Sequence, residues 1–161
     1  MLIERTAGHT KQFTVSGLVR DEEDRRLLLV HHRKLGFWLP PGGHIEPDET
    51  PQDAVLREIL EETGVRARLV SGIGMDLGCD GVTQEQLAVP LTMGYQLIPA
   101  RPGEPEHIHM DFEFPLAADS AAPLEAEPAE VSEVGWFTLE AIRGLDTTGP
   151  VRAQAAHVLR G

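Results

Sequence analysis

The alternation of apolar and polar positions divides the chain into short strand-like runs around one amphipathic helix. Phe13, Val15, Leu18 and Val19, interleaved with Thr14, Ser16 and Gly17, predict a first strand. Arg26 to His31 (RLLLVH) is continuously apolar, as a buried central strand is, and is expected beside the first strand, as its hairpin partner or an adjacent neighbour. Between them Asp21-Glu22-Glu23-Asp24 reads as an acidic turn. The period then changes. Val55, Leu56, Ile59 and Leu60 recur at helical spacing, so one apolar face runs from about residue 51 to residue 63. Thr50 suits the N-cap, Pro51 the first helical position, Asp53 the positive end of the dipole, and Gly64 the left-handed residue past the end.

Beyond the helix, Ala67 to Ile73 suggests a strand, and the glycine-rich Gly74 to Gln86 a loop near a site rim. Leu87 to Ile98 reads as strand, with Pro90 marking an edge or bulge, and Ala100 to Glu106 as a turn. His107 to Phe114 alternates strictly, with Ile108, Met110, Phe112 and Phe114 on one face and His107, His109, Asp111 and Glu113 on the other. That polar face is either the wet side of a strand or part of a substrate or metal surface. Residues 115–130, rich in Ala, Pro and acids, read as a mobile loop. Val134 to Thr138 returns to strand, Leu139 to Ile142 forms a helical turn, and Val151 to Leu159 a last helix. The expected architecture is α/β: a mixed sheet sandwiched between helices, α/β/α, in a single domain spanning 1–161 with its core at about 10–160.

Composition narrows the partners. With 161 residues and 41% hydrophobic content, the chain can bury one good core. A net charge of −12 argues against a general nucleic-acid binder. The first residues lack the apolar run of a signal peptide, no segment approaches membrane-spanning length, and Cys79 is alone. A cytoplasmic location, no membrane and a small buried Cys79 are the resulting expectations.

The candidate chemistry lies on the helix. Glu58, Glu61 and Glu62 stand at i, i+3 and i+4 and share one side, where like charges repel. A hard divalent cation relieves that repulsion, because carboxylate oxygens suit Mg²⁺ or Mn²⁺. Such a stripe alone is usually a solvated face. Taken with Gly43, Glu49, Arg57 and Gly64, the seven positions form a pattern whose chance occurrence is on the order of one in a million. Just before it, His31-His32-Arg33-Lys34 is the most cationic patch of the chain, either a solvated turn or a place from which Arg33 or Lys34 reaches a substrate phosphate. Phe37 and Trp38 read as core or wall, and His44 either faces the site or is solvated.

Residues 43–65, GHIEPDETPQDAVLREILEETGV, resemble the signature box of the Nudix hydrolase family at every fixed position, including Ile59 and Val65. The resemblance implies the family's α/β/α fold and hydrolysis of a nucleoside diphosphate linked to another group, with Mg²⁺ or Mn²⁺ as cofactor. By position it implies that Glu58 and Glu62 are the main metal ligands, with Glu61 a further ligand or the residue that positions water, and the backbone near Gly42 or Gly43 adding an oxygen. Arg57 and Glu49 become supporting residues of the catalytic set. Outside the box, Asp111 or Glu113 is expected to complete the substrate site. The implied substrate is a small nucleotide, with a nucleoside triphosphate as default. Gly81 stands where the proline of ADP-ribose hydrolases would fall, and Tyr95 lies too far along for the mark of dinucleoside polyphosphate hydrolases. A catalytically silent nucleotide sensor and an RNA 5′-end pyrophosphohydrolase are the alternatives. The intact acids argue against the first, and the net negative charge against the second. A homodimer is left open.

Overall fold

The computed structural model describes residues 1–23, 25–70 and 75–159. Its centre is a parallel pair that no local signal in the chain announces. Strand β1 (Lys11–Asp21) runs beside β7 (His107–Ala118) in unbroken register from Lys11 opposite Ile108 to Asp21 opposite Ala118. On the other side β1 meets β2 (Arg26–His32) antiparallel, through Arg20 and Leu27. Further along, β1 meets the short β4 (Gly42–His44), which places Gly42 opposite Ser16 and Gly43 opposite Val15. The sheet is completed by β3 (Trp38–Leu39) and β8 (Val131–Thr138) against β2, and by β5 (Arg68–Leu69) and β6 (Thr92–Ile98) against β7. Among the described residues eight strands form one mixed sheet.

Alternation along the strands then sends side chains to two separate cores. Val15, Val19, Leu28, Phe114, Leu116 and Ala118 pack with Ala54, Val55 and Ile59 of helix α2 (Pro51–Thr63). Leu18, Leu27 and Leu29 point the other way. They meet Ile142 of helix α3 (Leu139–Gly144) and Val151, Ala155 and Val158 of helix α4 (Gly149–Val158). The helices therefore cover both faces, as an α/β/α sandwich requires. A further short helix, α1 (Leu2–Arg5), precedes β1. No helix among the described residues is long and apolar enough to cross a membrane.

Several boundaries move from their expected places. The segment 115–130 is not a loop throughout: β7 continues to Ala118, because the parallel ladder with β1 persists and buries Leu116, Ala117 and Ala118. The loop begins at Asp119, and it is tied down where the Glu125 and Glu127 N–H groups donate to the carbonyls of Thr63 and Glu62 at 2.9 and 3.3 Å. Strand β6 starts only at Thr92, after Pro90, which has no N–H to give a ladder. Residues 71–73 of the expected strand and Gly74 of the following loop lie outside the described residues, as does Asp24 of the acidic turn. Cys79, expected to be buried, is half-buried. Trp38 is half-buried against the second core, packed edge-on against Phe137 at 4.7 Å between ring centres.

Candidate active site

Helix α2 forms as its sequence dictates. The Thr50 hydroxyl accepts the Asp53 N–H, Pro51 occupies the first turn, and Gly64 ends the helix at φ 72° in the left-handed region that suits glycine. Burial of Val55 and Ile59 fixes the rotation of the helix, and Ile59 presses so close to β1 that a Cβ at Gly17 would lie 2.6 Å from Cδ1 of Ile59. That rotation sorts the three glutamates by depth. Glu62 is only 3% exposed and Glu58 is largely covered, while Glu61 reaches outward.

The loop from β3 to α2 is shaped around these acids. The Gly42 N–H donates to Glu62 Oε2 at 3.0 Å. A Cβ on Gly43 would lie 2.5 Å from Glu58 Oε1, so only glycine leaves the carboxylate room there. Arg57 gathers the remaining acids. Its Nε and Nη2 grip Glu49 at 2.6 and 2.9 Å, its Nη1 donates to Glu58 and Glu61 at 2.8 and 3.0 Å, and Nη2 also reaches the His44 carbonyl at 3.1 Å. This pins the loop to the helix, the two-pronged use for which a planar guanidinium is suited.

One acid, Glu62, pairs with no cation among the described residues. Burial pushes the Glu62 carboxyl up to about 8, against the pull of the Gly42 N–H and with help from the charges of Glu58, Glu130 and Glu61. Burial also raises Glu58, partly offset by Arg57. By contrast, Arg57 holds the Glu49 carboxyl below its ordinary range. Among the described residues no three His, Cys, Asp or Glu side chains already meet at one point as a metal centre. Arg57 draws Glu58 and Glu61 to itself, while Glu62 turns to Gly42. The donor set nevertheless suits a hard divalent cation: closely spaced carboxylate oxygens, an excess of buried negative charge, and a glycine floor.

Glu62, Gly42 and Gly43 open onto a cavity of about 770 Å³ that runs across the sheet toward α4. Its polar wall is the face of β7 carrying His107, His109, Asp111 and Glu113, and Phe37, Leu39 and Pro40 stand among its apolar residues. The β7 face is not wet. Asp111 and Glu113 are 4% and 5% exposed, and burial raises both carboxyls. Thr14 and Ser16 hydroxyls donate to the two oxygens of Asp111 at 2.8 and 2.7 Å, and the Gln154 amide donates to Glu113. His107 Nδ1 donates to the Pro105 carbonyl at 2.9 Å, its Nε2 lies 3.1 Å from Nε2 of His109, and burial lowers His109 to about 4.

Of the two cations expected near substrate, Lys34 lines the cavity and Arg33 does not. Three lining residues carry no signal in the sequence: Arg101, Glu130 and Gln154. Arg101 and Lys34 both depress the His32 pKa, behind the larger effect of burial, so the three stand near one another. Glu130 acts electrostatically on Glu58 and Glu62 from outside the helix. None of the three belongs to a spacing pattern, because each arrives from a loop or helix distant in sequence. A motif-based signal for them does not exist.

The NUDIX domain model matches residues 10–159. The chain belongs to the NUDIX family. It is 43% identical over 53 residues to a putative 8-oxo-dGTP diphosphatase of Bacillus subtilis, covering 33% of this chain and 36% of that protein. It is 30% identical over 129 residues to a probable DHNTP pyrophosphohydrolase of Lactococcus lactis, covering 80% of this chain and 64% of that protein. The chain thus spans about a third to two-thirds of the length of these curated relatives. Among solved structures, a NUDIX-family hydrolase from Clostridium perfringens superposes with a TM-score of 0.78 at 28% identity, over 92% of this chain and 96% of the other. NUDIX enzymes in general use divalent metal ions.

Proposed function

We propose that this NUDIX protein is a divalent-metal-dependent pyrophosphohydrolase of a nucleoside triphosphate or related nucleotide derivative. The observation that carries the reading is the buried Glu62, which pairs with no cation among the described residues and lines a nucleotide-sized cavity, with its carboxyl pushed up to about 8. Relatives named for hydrolysis of 8-oxo-dGTP and DHNTP point the same way.

In this reading Glu58 and Glu62 are the main metal ligands, Glu61 is a further ligand or positions water, and the backbone at Gly43 adds an oxygen. When bound, a divalent ion neutralises the diphosphate and makes water a better nucleophile at neutral pH. The protein's own part is positional. Arg57 holds Glu58 and Glu61 in place while Glu49 clamps Arg57, and Gly42 orients Glu62 through its N–H. Lys34, Arg101 and, from its exposed turn, Arg33 supply positive charge for substrate phosphates. Asp111 and Glu113 form the floor on which the rest of the substrate lies. A carboxylate of the helix set takes the proton of the attacking water as its oxygen bonds to phosphorus and the bridging P–O bond breaks, releasing the other phosphate group.

The test is phosphate release from a panel of nucleoside triphosphates, nucleotide sugars, dinucleoside polyphosphates and ADP-ribose, with Mg²⁺, Mn²⁺ or EDTA. The expected result is turnover of one class, abolished by EDTA and by Glu62→Gln. Tight nucleotide binding with no metal-dependent turnover of any compound overturns it and leaves a sensor.

A further inference from the structure

The β7 wall of the cavity carries acceptors to which the hydrolytic reading gives no specific partner. Each oxygen of Asp111 already accepts a hydroxyl, one from Thr14 and one from Ser16. Glu113 differs. One of its oxygens accepts the Gln154 NH₂, and the other lies beside Gly94, where a Cβ would stand 3.4 Å from that oxygen and 3.2 Å from the Gln96 amide nitrogen. The contact with Glu113 orients the amide, because the reverse orientation sets oxygen against carboxylate. Gln154 Oε1 is thereby turned away, and it is buried with no hydrogen-bond partner. Buried acceptors are almost always paired, so an unpaired one on a cavity wall calls for a donor. No Lys or Arg side chain forms an ion pair with Glu113 among the described residues. The wall therefore presents two neighbouring acceptors, Glu113 and Gln154, with the Gln96 amide close by.

Resting on the nucleotide-hydrolase reading, we infer that Glu113 and Gln154 select the base, and that the ring they select carries two adjacent donors, a ring N–H beside an exocyclic NH₂, as guanine does. One donor meets the Glu113 carboxylate and the other the Gln154 carbonyl, which a small turn of the amide about its terminal bond brings to the cavity. Adenine and cytosine place a ring acceptor beside their amino group, so acceptor would face acceptor. Hypoxanthine offers the ring N–H without the amino group, and uracil flanks its ring N–H with carbonyls. A pterin shares the guanine edge on a different ring system.

The test is calorimetric binding of GTP, ITP, ATP and dihydroneopterin triphosphate in EDTA, where turnover does not intervene. The proteins compared are the wild type, Glu113→Leu and Gln154→Leu, with thermal melts reporting whether each variant folds. GTP is expected to bind at least about tenfold more tightly than ITP, and ATP more weakly than either, since ITP leaves one buried acceptor unpaired. Either substitution is expected to bring GTP and ITP to within about twofold of each other. Equal binding of GTP and ITP to the wild type overturns the inference, as does a preference that survives both substitutions, or no binding of any of the four. The wild-type comparison stands even if a variant does not fold. The pterin arm, read against GTP, decides which ring the wall prefers. Turnover with Mg²⁺ is measured separately. A GTP preference without turnover keeps the base recognition and removes the hydrolase reading, and turnover indifferent to the base does the reverse.

Discussion

Two sets of carboxylates, one reaching the cavity through Glu62 and the other through Asp111 and Glu113, are answered in opposite ways. On α2, Glu49, Glu58 and Glu61 are held by the single guanidinium of Arg57, and Glu62 has only a backbone N–H. Three acids share one cation and the fourth has none, so the helix end carries an uncompensated charge that a second cation would relieve. On β7, Asp111 and Glu113 are met by two hydroxyls and an amide, all neutral. Neutral donors leave shape and hydrogen-bonding direction as the main features of that wall. The comparison teaches that clustered acids do not share one purpose. The first set is built to want charge, and the second to want hydrogen-bond donors.

The sharpest way to break this contrast is to remove the charge demand on the helix. Glu62→Gln or Glu61→Gln should leave the fold intact, with turnover falling on the order of a thousandfold. Near-wild-type turnover in both variants would show that the helix acids are a structural cluster. Next in size is Arg57→Ala, which frees the acids without deleting any of them. Loss of such an orienting residue is expected to cost about 10–100-fold in metal affinity or activity, measured by metal titration alongside kinetics. An unchanged metal affinity would confine Arg57 to holding the loop.

On the β7 side the effect should appear in stability instead. Thr14→Val removes a buried donor from Asp111 and should destabilise the protein by about 1–3 kcal/mol in denaturant melts. The same substitution should leave metal affinity unaltered, and a loss of metal binding would merge the two sites into one. The pH dependence separates them further. The folded Glu62 carboxyl holds its proton up to about 8, against an ordinary 4.5. Between these values the folded state binds a proton that the unfolded chain has released, so this group's effect on stability worsens as pH rises through that window. In EDTA, Glu62→Gln should therefore melt above the wild type at pH 8 by about 2–8 °C, and the two should converge below pH 4.5. A gap that does not change with pH removes the ionisation of Glu62 as its cause. The smallest effect is expected from the cations: Lys34→Ala should raise KM more than Arg33→Ala, because only Lys34 lines the cavity. The opposite order in steady-state kinetics would move substrate to the outer turn.

Much of the helix end is legible in the order of residues alone. The caps at Thr50 and Gly64, the apolar face of Val55 and Ile59, and the acid spacing are local, and 3.6-residue periodicity converts them into geometry without outside help. The strands are legible to the same depth. The alternation at His107 to Phe114 assigns a strand and sorts its faces, though it does not say whether the polar face is wet. The expectation of a loop over 115–130 fails at its first four residues, because Pro115 and the alanines look like loop chemistry until the long pairing with β1 overrides them.

By itself, then, the sequence determined what lies within a few residues: the glutamate helix, its glycine approach, the strands and the family whose box they match. The tertiary structure alone decided what depends on chain segments far apart in order. It placed Thr14 and Ser16 on Asp111, Gln154 beside Glu113, Glu130 near Glu62, and Arg101 at the cavity rather than Arg33. The physical reason is range. Helical and strand periods are set by neighbouring residues, whereas burial and pairing of a side chain are set by whichever distant strand the sheet brings against it.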